Sequence, residues 1–516
     1  MVGLWPAVVA GLAGGVLAAA AVAGGLFTGG IPAVALALWD RWLRLVPMPL
    51  FSLLLGTLKF AAKPAAFWAM LAAVSLGLGG LGALIARWTS GPARALAAAW
   101  LSASALLALL AWPPATSHLA ARLEAQGVDG RPGLTVGLAL AGYGGVFAVP
   151  YAAALRILLR RRRARLRPVS GGSCSITRRH LLARGMMALL ASALGTGGAQ
   201  WLRGRWKKVW AATLNAFARV TGLPPEITPT GQFYVVSKNP PGLDPVLDAR
   251  RWSLEVTGLV GRTVKLTYDE LRALPAVQQY QTLECISNEV GGDLISNAAW
   301  KGARLRDVLM LAGGPAPTAV KVAFRCADGY TESLPIADAL NPTTLLAYEM
   351  NGEPLPPRHG FPVRLLVPGL FGMKNPKWIT RIEVVNYDFR GYWEASGWSD
   401  EAVVKTMSKF TTPTRSSLPA GEVGLGGVAY AGDRGIRKVE YSTDGGRTWQ
   451  QAETAPPLGP FTWVLWAAVW TPAGPGEYVL KVRATDGTGV LQAARESPPL
   501  PDGATGYHTL RIRIRR

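Results

Sequence analysis

Two hydrophobic textures divide the chain near residue 202. Before that point apolar residues run on for long stretches; after it they come in short, alternating groups. Residues 1–39 hold no charged side chain. At about 1.5 Å per residue, the run Leu4–Phe27 is long enough to cross a hydrocarbon core about 30 Å thick. Pro64–Ala86, Ala95–Ala121 (broken at Pro113-Pro114), Pro132–Leu155 and Gly185–Leu202 are further uncharged runs, each with room for one helix. Leu45–Leu58 is shorter and holds Pro47 and Pro49, which predicts an interfacial or re-entrant piece. A signal peptide competes for the first run, but it lacks a basic leader and four more runs follow.

Beyond the basic bridge Arg203–Lys208, β-branched stretches are punctuated by Gly, Pro, Asn and Asp. Trp252–Val256, Val320–Phe324, Val363–Val367 and Ile379–Val385 predict strands, and Asp269–Leu274 and Leu305–Ala312 predict short helices. From about Phe410 the pattern is all-β. Val423–Tyr430, Ile436–Ser442, Trp463–Trp470 and Tyr478–Thr485 alternate apolar and polar residues around turns at Asp444-Gly445-Gly446 and Asp486-Gly487. That spacing predicts an immunoglobulin-like sandwich with Trp449 in its core. The expected architecture is multidomain: an α-helical transmembrane bundle of about five helices over 1–202, a linker over 203–224, an α+β domain over 225–408, and the all-β sandwich over 409–516.

Charge sets the topology. The 516 residues carry a net charge of +22, yet only 17% are charged and half are hydrophobic. Ten arginines and no acid fall between Arg156 and Arg184. A basic block beside apolar runs faces the cytoplasm, and no basic stripe interleaved with aromatics offers a nucleic-acid surface. The neutral loop between the third and fourth runs (Arg122, Glu124, Asp129, Arg131) suits the other side. The expected placement is a multi-pass protein of the cell membrane, with everything after about residue 202 on the exterior or periplasmic face. The net positive segment between the first two runs is the one loop that does not favour it. Thr177-Arg178-Arg179-His180-Leu181-Leu182 resembles a twin-arginine export signal, although such signals are usually N-terminal; a positive-inside anchor is the alternative. His118 and His180 fall on opposite faces, so no bis-histidine haem is expected, and no acid inside a predicted span marks a proton pathway.

Candidate chemistry begins with Cys285, one of three cysteines, with Cys174 and Cys326. Three are too few for a disulfide scaffold or a four-cysteine iron–sulfur or metal site. In Leu283-Glu284-Cys285-Ile286-Ser287-Asn288 the thiol follows an apolar stretch and precedes Gly291-Gly292. It could be a soft metal ligand, a nucleophile, a small buried hydrophobe, or half of a disulfide with Cys326. A second cluster spans Asn351–Trp378, where His359, Arg364, Lys374 and Lys377 stand among prolines and glycines. Rigid loops carrying cations and free N–H groups suit a polyanion; a solvated basic loop is the other reading.

Several separated motifs closely resemble the sulfite oxidase family of molybdopterin enzymes. They are Leu346-Ala347-Tyr348-Glu349-Met350-Asn351-Gly352-Glu353-Pro354-Leu355-Pro356, His359-Gly360-Phe361-Pro362-Val363-Arg364, Val367-Pro368-Gly369 and Lys377-Trp378. Asp328-Gly329-Tyr330, Ser333-Leu334-Pro335 and Gly391-Tyr392-Trp393 also match. Lys438–Ser442 and Asp444–Trp449 resemble that family's immunoglobulin-like dimerisation domain, and the likeness covers about residues 230–500.

The resemblance implies a molybdenum–molybdopterin cofactor, with Cys285 as metal ligand and Tyr330 as catalytic hydroxyl. Asn288, Asp328, His359, Arg364, Asn375, Pro376 and Lys377 would line or hold the cofactor. It implies oxygen-atom transfer on a small-molecule substrate, electron exchange with a separate cytochrome or quinone-linked partner, and a homodimer through the last domain. No haem or iron–sulfur cluster is expected in the chain, because no Cys-x-x-Cys-His motif or fused haem domain occurs. Alternatives are a reductase of sulfoxides or nitrate, and a cofactor-free, membrane-tethered binding or assembly protein. Phe233–Asn239 matches the family's early cofactor-contacting strand only loosely, with Val236, Ser237 and Lys238 in place of an arginine-asparagine-histidine run, a departure that bears on cofactor contacts. A second departure bears on substrate: Glu289 and Val290 stand where sulfite-oxidising members carry arginine. A carboxylate there would repel sulfite.

Overall fold

The computed structural model describes residues 215–516 except Pro241, together with six scattered positions between Trp39 and Val74. The expected membrane spans (those positions apart), the twin-arginine motif and most of the linker lie outside the described residues. Among the described residues, no helix is long and apolar enough to cross a membrane.

The α+β part is built on two sheets. In the first, β1 (Ser253–Gly258) pairs antiparallel with β2 (Val264–Thr267) and parallel with β10 (Ile379–Val385). β10 pairs antiparallel with β5 (Lys321–Cys326), and β5 with β6 (Thr331–Pro335). Alternation drives this sheet. Leu254, Val256, Val322, Phe324, Ile382 and Val384 point into one core, while Arg381–Glu255 and Arg325–Glu383 pair on the other face. The second sheet joins β3 (Ala276–Glu284), β4 (Ile295–Arg304), β7 (Leu345–Met350) and β8 (Glu353–Pro354), with β9 (Arg364–Leu366) on the other side of β7. Its Ala303, Leu346, Tyr348 and Leu365 share the core of the first sheet.

After α1 (Asn215–Arg219), three short helices close the edges: α2 (Tyr268–Ala273), α3 (Leu305–Leu311) and α4 (Ile336–Leu340). Helix α2 starts where Thr267 and Glu270 cap each other reciprocally, which satisfies two otherwise open N–H groups. The predicted strands and helices of this region form within a residue or two of their expected ends. The long β3–β4 hairpin was not anticipated, because Gln278, Gln279 and Gln281 interrupt the apolar pattern of β3. Its register, from Ala276↔Ala303 to Glu284↔Ile295, sets the loop that begins at Cys285.

Residues 407–514 form two facing sheets. One runs β11 (Met407–Thr412), β13 (Val423–Tyr430), β17 (Val464–Trp470), β16 (Glu453–Thr454). The other runs β12 (Ser417–Leu418), β19 (Thr509–Ile514), β18 (Gly476–Asp486), β14 (Ile436–Ser442), β15 (Gln450–Gln451). Leu425 and Trp466 from one layer meet Val439, Leu480, Val482 and Ile512 from the other. Trp449 is not in that core. It is half-buried, with the Arg483 guanidinium 4.1 Å over its ring.

The sandwich also braces the α+β part. Tyr430 donates its hydroxyl to the Thr282 carbonyl (2.9 Å), and the Trp463 N–H reaches the Thr282 hydroxyl (2.9 Å). Ile286 and Met373 pack with Val428, Tyr430 and Trp463, so the loop after β3 is held from behind.

Candidate active site

A cleft of about 1040 Å³ opens where the loop after β3, the extended segment Phe233–Lys238 and the proline-rich loops around β9 converge. Cys285, Asp328, Tyr330, His359, Arg364, Asn375, Pro376 and Lys377 all line it. These residues are spread along the chain from 285 to 377, and the two sheets bring them to one place.

Cys285 is 8% exposed and is in no disulfide. Its Sγ lies 3.0 Å from the Ser287 hydroxyl. The disulfide with Cys326 does not form: Cys326 is a free thiol, fully buried at the end of β5. Gly372 faces the turn at Cys285, and a Cβ there would fall 2.7 Å from the Tyr234 hydroxyl and 3.3 Å from the Glu284 carbonyl. A side chain there would press on Tyr234 and crowd the backbone beside Cys285.

Arg364 is the most informative cation. It is 6% exposed and its Nη atoms reach only carbonyl oxygens, those of His359 and Asn375, at 3.3 Å each. Its Nε has no partner among the described residues, and the guanidinium lies 5.2 Å over Trp300. Burial without an adjacent carboxylate pushes its pKa down to about 10, so it stays cationic but poorly neutralised. A buried cation of this kind is a site for an anion.

His359 contributes differently. Its Nε2–H donates to the Thr230 carbonyl (3.2 Å), and its ring meets Phe233 edge-on at 5.5 Å. Burial and the Arg364 charge lower its pKa to about 4, so at neutral pH it is an uncharged imidazole, not a phosphate-binding cation. Lys377 donates to the Arg358 carbonyl (3.0 Å) and lies over Trp378. Asn375 knits the loop, accepting from Val367 N–H (2.7 Å) and donating to the Phe371 carbonyl (3.1 Å). Asp328 accepts from Asn239 (3.2 Å) and from the Tyr330 N–H (3.0 Å).

Four expectations change. Asn288 does not line the cleft: its amide bonds Glu284 (2.9 Å) and the Leu294 N–H (3.0 Å), shaping the loop behind the thiol. Lys374 is withdrawn from the basic loop and buried at 1% exposure among Glu332, Glu394 and Asp400. Tyr330 borders the cleft, but its hydroxyl sits 2.8 Å from the Glu332 carboxyl and 3.0 Å from the Met373 carbonyl, inside the fold. Glu289 and Val290 are not among the residues that line the cleft.

Some lining residues escaped the sequence reading. The segment Phe233–Lys238 lines the cleft although its sequence departs from the family's run. Trp39 donates its indole N–H to the Lys238 carbonyl (2.8 Å), fixing that segment from outside the sheets. Trp393 and Trp398 supply aromatic wall; the second lay beyond every matched motif.

This arrangement has recognisable relatives. The sequence model of the "Oxidoreductase molybdopterin binding domain" matches residues 242–393. Sulfite oxidase of Arabidopsis thaliana is 33% identical over 281 residues, which is 44% of this chain and 70% of that protein. Mitochondrial sulfite oxidase of Homo sapiens is 35% identical over 309 residues, 50% of this chain and 56% of that protein. The crystal structure of the sulfane dehydrogenase SoxCD from Paracoccus pantotrophus superposes with a TM-score of 0.50 at 23% identity, covering 56% of this chain and 84% of that one, a likeness of fold. The chain belongs to the sulfite oxidase family of molybdopterin oxidoreductases. It spans about half the length of the mammalian relatives it matches.

Proposed function

We propose that the chain is a membrane-anchored molybdenum-cofactor oxidoreductase that moves an oxygen atom to or from a small substrate and exchanges electrons with a separate redox partner. One observation carries this reading: a cleft-lining thiol at Cys285, in no disulfide, shares its cleft with a buried guanidinium that meets no carboxylate among the described residues. The residues fit the cofactor on both counts. A thiolate is a soft ligand for molybdenum, and Arg364 with its open Nε suits the terminal phosphate of a pterin. Among the described residues no group of three His, Cys, Asp or Glu could hold a metal unaided, which suits a metal whose other donors come from an organic dithiolene.

When bound, the cofactor supplies the two-electron redox change. The chain's own residues do the rest. Cys285 would anchor the metal, and Arg364 would neutralise the phosphate. Neutral His359 ties that loop to Thr230, while Trp393 and Trp398 limit water in the cleft. The membrane runs before residue 202 support an anchor that keeps the catalytic domain on the exterior face, and the Arg178-Arg179 motif supports export of the folded, loaded domain. Residues 409–516, a two-layer sandwich, support an immunoglobulin-like domain that pairs two copies.

The test is analysis of protein purified from a host that makes the cofactor, followed by a screen of sulfite, sulfoxides and oxyanions with artificial electron acceptors and donors. Molybdenum and pterin in equal amounts are expected. Finding neither would leave a cofactor-free tethered protein. Replacing Arg178 and Arg179 by lysine should trap the catalytic domain inside; unchanged export would refute the twin-arginine reading.

A further inference from the structure

Behind the cleft wall lies a group of ionisable side chains that cofactor binding does not use. Glu332 is 0% exposed, Lys374 1% and Glu394 5%. Tyr330, which borders the cleft, has its hydroxyl 2.8 Å from Glu332 Oε2. Glu332 Oε1 accepts from Lys374 Nζ at 3.0 Å, and Glu394 hydrogen-bonds both Lys374 and Glu332. Lys374 also donates to Asp400 Oδ1 (3.1 Å). Asp400 is 43% exposed on its side chain, and its other oxygen accepts from Lys321 (2.7 Å), which also pairs with exposed Asp388 (2.6 Å). The contacts run unbroken from the hydroxyl of this cleft-bordering tyrosine to bulk water.

The group is poorly designed as a clamp. A buried ammonium needs one well-placed carboxylate, and each additional buried charge carries a desolvation penalty that packing residues would avoid. Here two fully buried carboxyls share one lysine. Burial and the neighbouring Glu394 hold the Glu332 pKa well above the usual carboxylate range, while the carboxylates raise that of Lys374. The pair therefore retains a mobile proton at neutral pH. Lys321 on β5, Asp338, Asp388, Asp328 and Cys326 are further titratable groups nearby, with Lys238 over the adjacent Tyr392 ring at 5.2 Å.

We propose that Tyr330, Glu332, Glu394 and Asp400, ordered around Lys374, form the route by which protons pass between the cleft and solvent. The proposal rests on the oxygen-transfer reading. Oxidation of a substrate X with water as oxygen donor is X + H₂O → XO + 2H⁺ + 2e⁻, with the electrons leaving in single steps to a redox carrier protein. The two protons are released in a cleft walled by Trp393, Trp398, Met373 and Ile286. A proton reaching the Tyr330 oxygen displaces the phenol's own proton to Glu332, so the phenol is neutral before and after. The carboxyl pair passes one proton to Lys374 as Lys374 gives one to Asp400, and water takes it from there. In reduction the same route runs inward.

The test uses the holoenzyme and the variants Glu332→Gln and Asp400→Asn. Molybdenum, pterin and melting temperature are measured first. Turnover, KM, solvent deuterium isotope effect and proton release to an indicator dye follow. In Glu332→Gln we expect full cofactor content, an unchanged KM and kcat lower by roughly 100-fold, the lower end for lost proton transfer. The isotope effect should rise, and millimolar formate or imidazole should restore part of the rate. Asp400→Asn should show the same signs more weakly, and it decides the matter if the first variant does not fold. Infrared spectra of wild-type protein should carry a protonated-carboxyl band that Glu332→Gln lacks. A loaded variant with wild-type turnover and isotope effect would overturn the route. So would a loss that follows falling cofactor content and that no small acid rescues, the behaviour of a structural clamp. A wild-type protein with neither molybdenum nor pterin would instead overturn the oxygen-transfer reading on which the route depends.

Discussion

Replacing Arg364 by methionine should have opposite consequences in the empty and loaded protein. In the empty protein, burial lowers the guanidinium pKa from 12.5 to about 10. A shift of that size is a penalty of about 3 kcal/mol. Against this stand two carbonyl contacts at 3.3 Å and the Trp300 face at 5.2 Å. Each carbonyl contact contributes about 1 kcal/mol. The cation over the ring contributes about 1 kcal/mol more. The opposing quantities nearly cancel, and methionine keeps much of the volume. Protein made in a host unable to synthesise the pterin should therefore unfold in urea within about 1 kcal/mol of wild type. In the loaded protein the phosphate would lose a buried charge partner, at a cost of about 3 kcal/mol, or roughly a hundredfold in affinity. Pterin content after gel filtration, read by fluorescence of the released cofactor, should collapse. A variant that loses more than about 3 kcal/mol when empty, yet keeps its pterin, would show that Arg364 is structural and that its missing anion is not the phosphate.

Three further outcomes are expected. Cys285→Ser should keep the fold and the pterin but lose turnover; full activity would contradict the assignment of that sulfur to the metal. His359 and His508 are held neutral, with pKa values of about 4 against 6.5 in an open chain. As pH falls from about 6.5 towards about 4 the unfolded chain takes up protons that the fold refuses, so stability falls, by about 2–3 kcal/mol per histidine. Urea unfolding at neutral pH and near the folded pKa should show it, and equal stability at the two would refute it. Gly258→Ala places a Cβ 2.2 Å from the Val384 carbonyl oxygen, at a backbone φ of +84°. Clash and backbone strain together should destabilise the fold by at least about 2 kcal/mol. An unchanged melting temperature would mean that the β1–β10 junction is looser than described.

Much of the cleft was legible because its residues fall in compact motifs. His359, Arg364 and Lys377 lie within one proline-rich stretch, and Cys285 stands where an apolar run turns polar. What failed was the assignment of individual polar atoms. Lys374 looks like its cationic neighbours in sequence, but Glu332, Glu394 and Asp400 arrive from separate segments and take it into the interior. Tyr330 was placed correctly at the cleft, yet the partner of its hydroxyl, two residues away on β6, could be known only once the strand's twist was known. The β3–β4 hairpin was missed for a related reason. Gln281 gains its burial from the sheet's partners and not from its own hydropathy, while Gln278 stays exposed. The hydrogen bond from Trp300 Nε1 to the Gln281 carbonyl (3.0 Å) is one such partner.

The parallel pairing of β1 with β10 has a consequence for synthesis. Glu255 must wait 126 residues for Arg381 to emerge, so the first sheet cannot close until the cleft-lining residues from Phe233 to Trp378 have been translated. Sheets that depend on such distant partners form late. The last strand to arrive therefore closes on a chamber most of whose lining is already present, with Trp393 and Trp398 still to follow, and a nascent chain still missing that strand offers the widest door for a bulky guest.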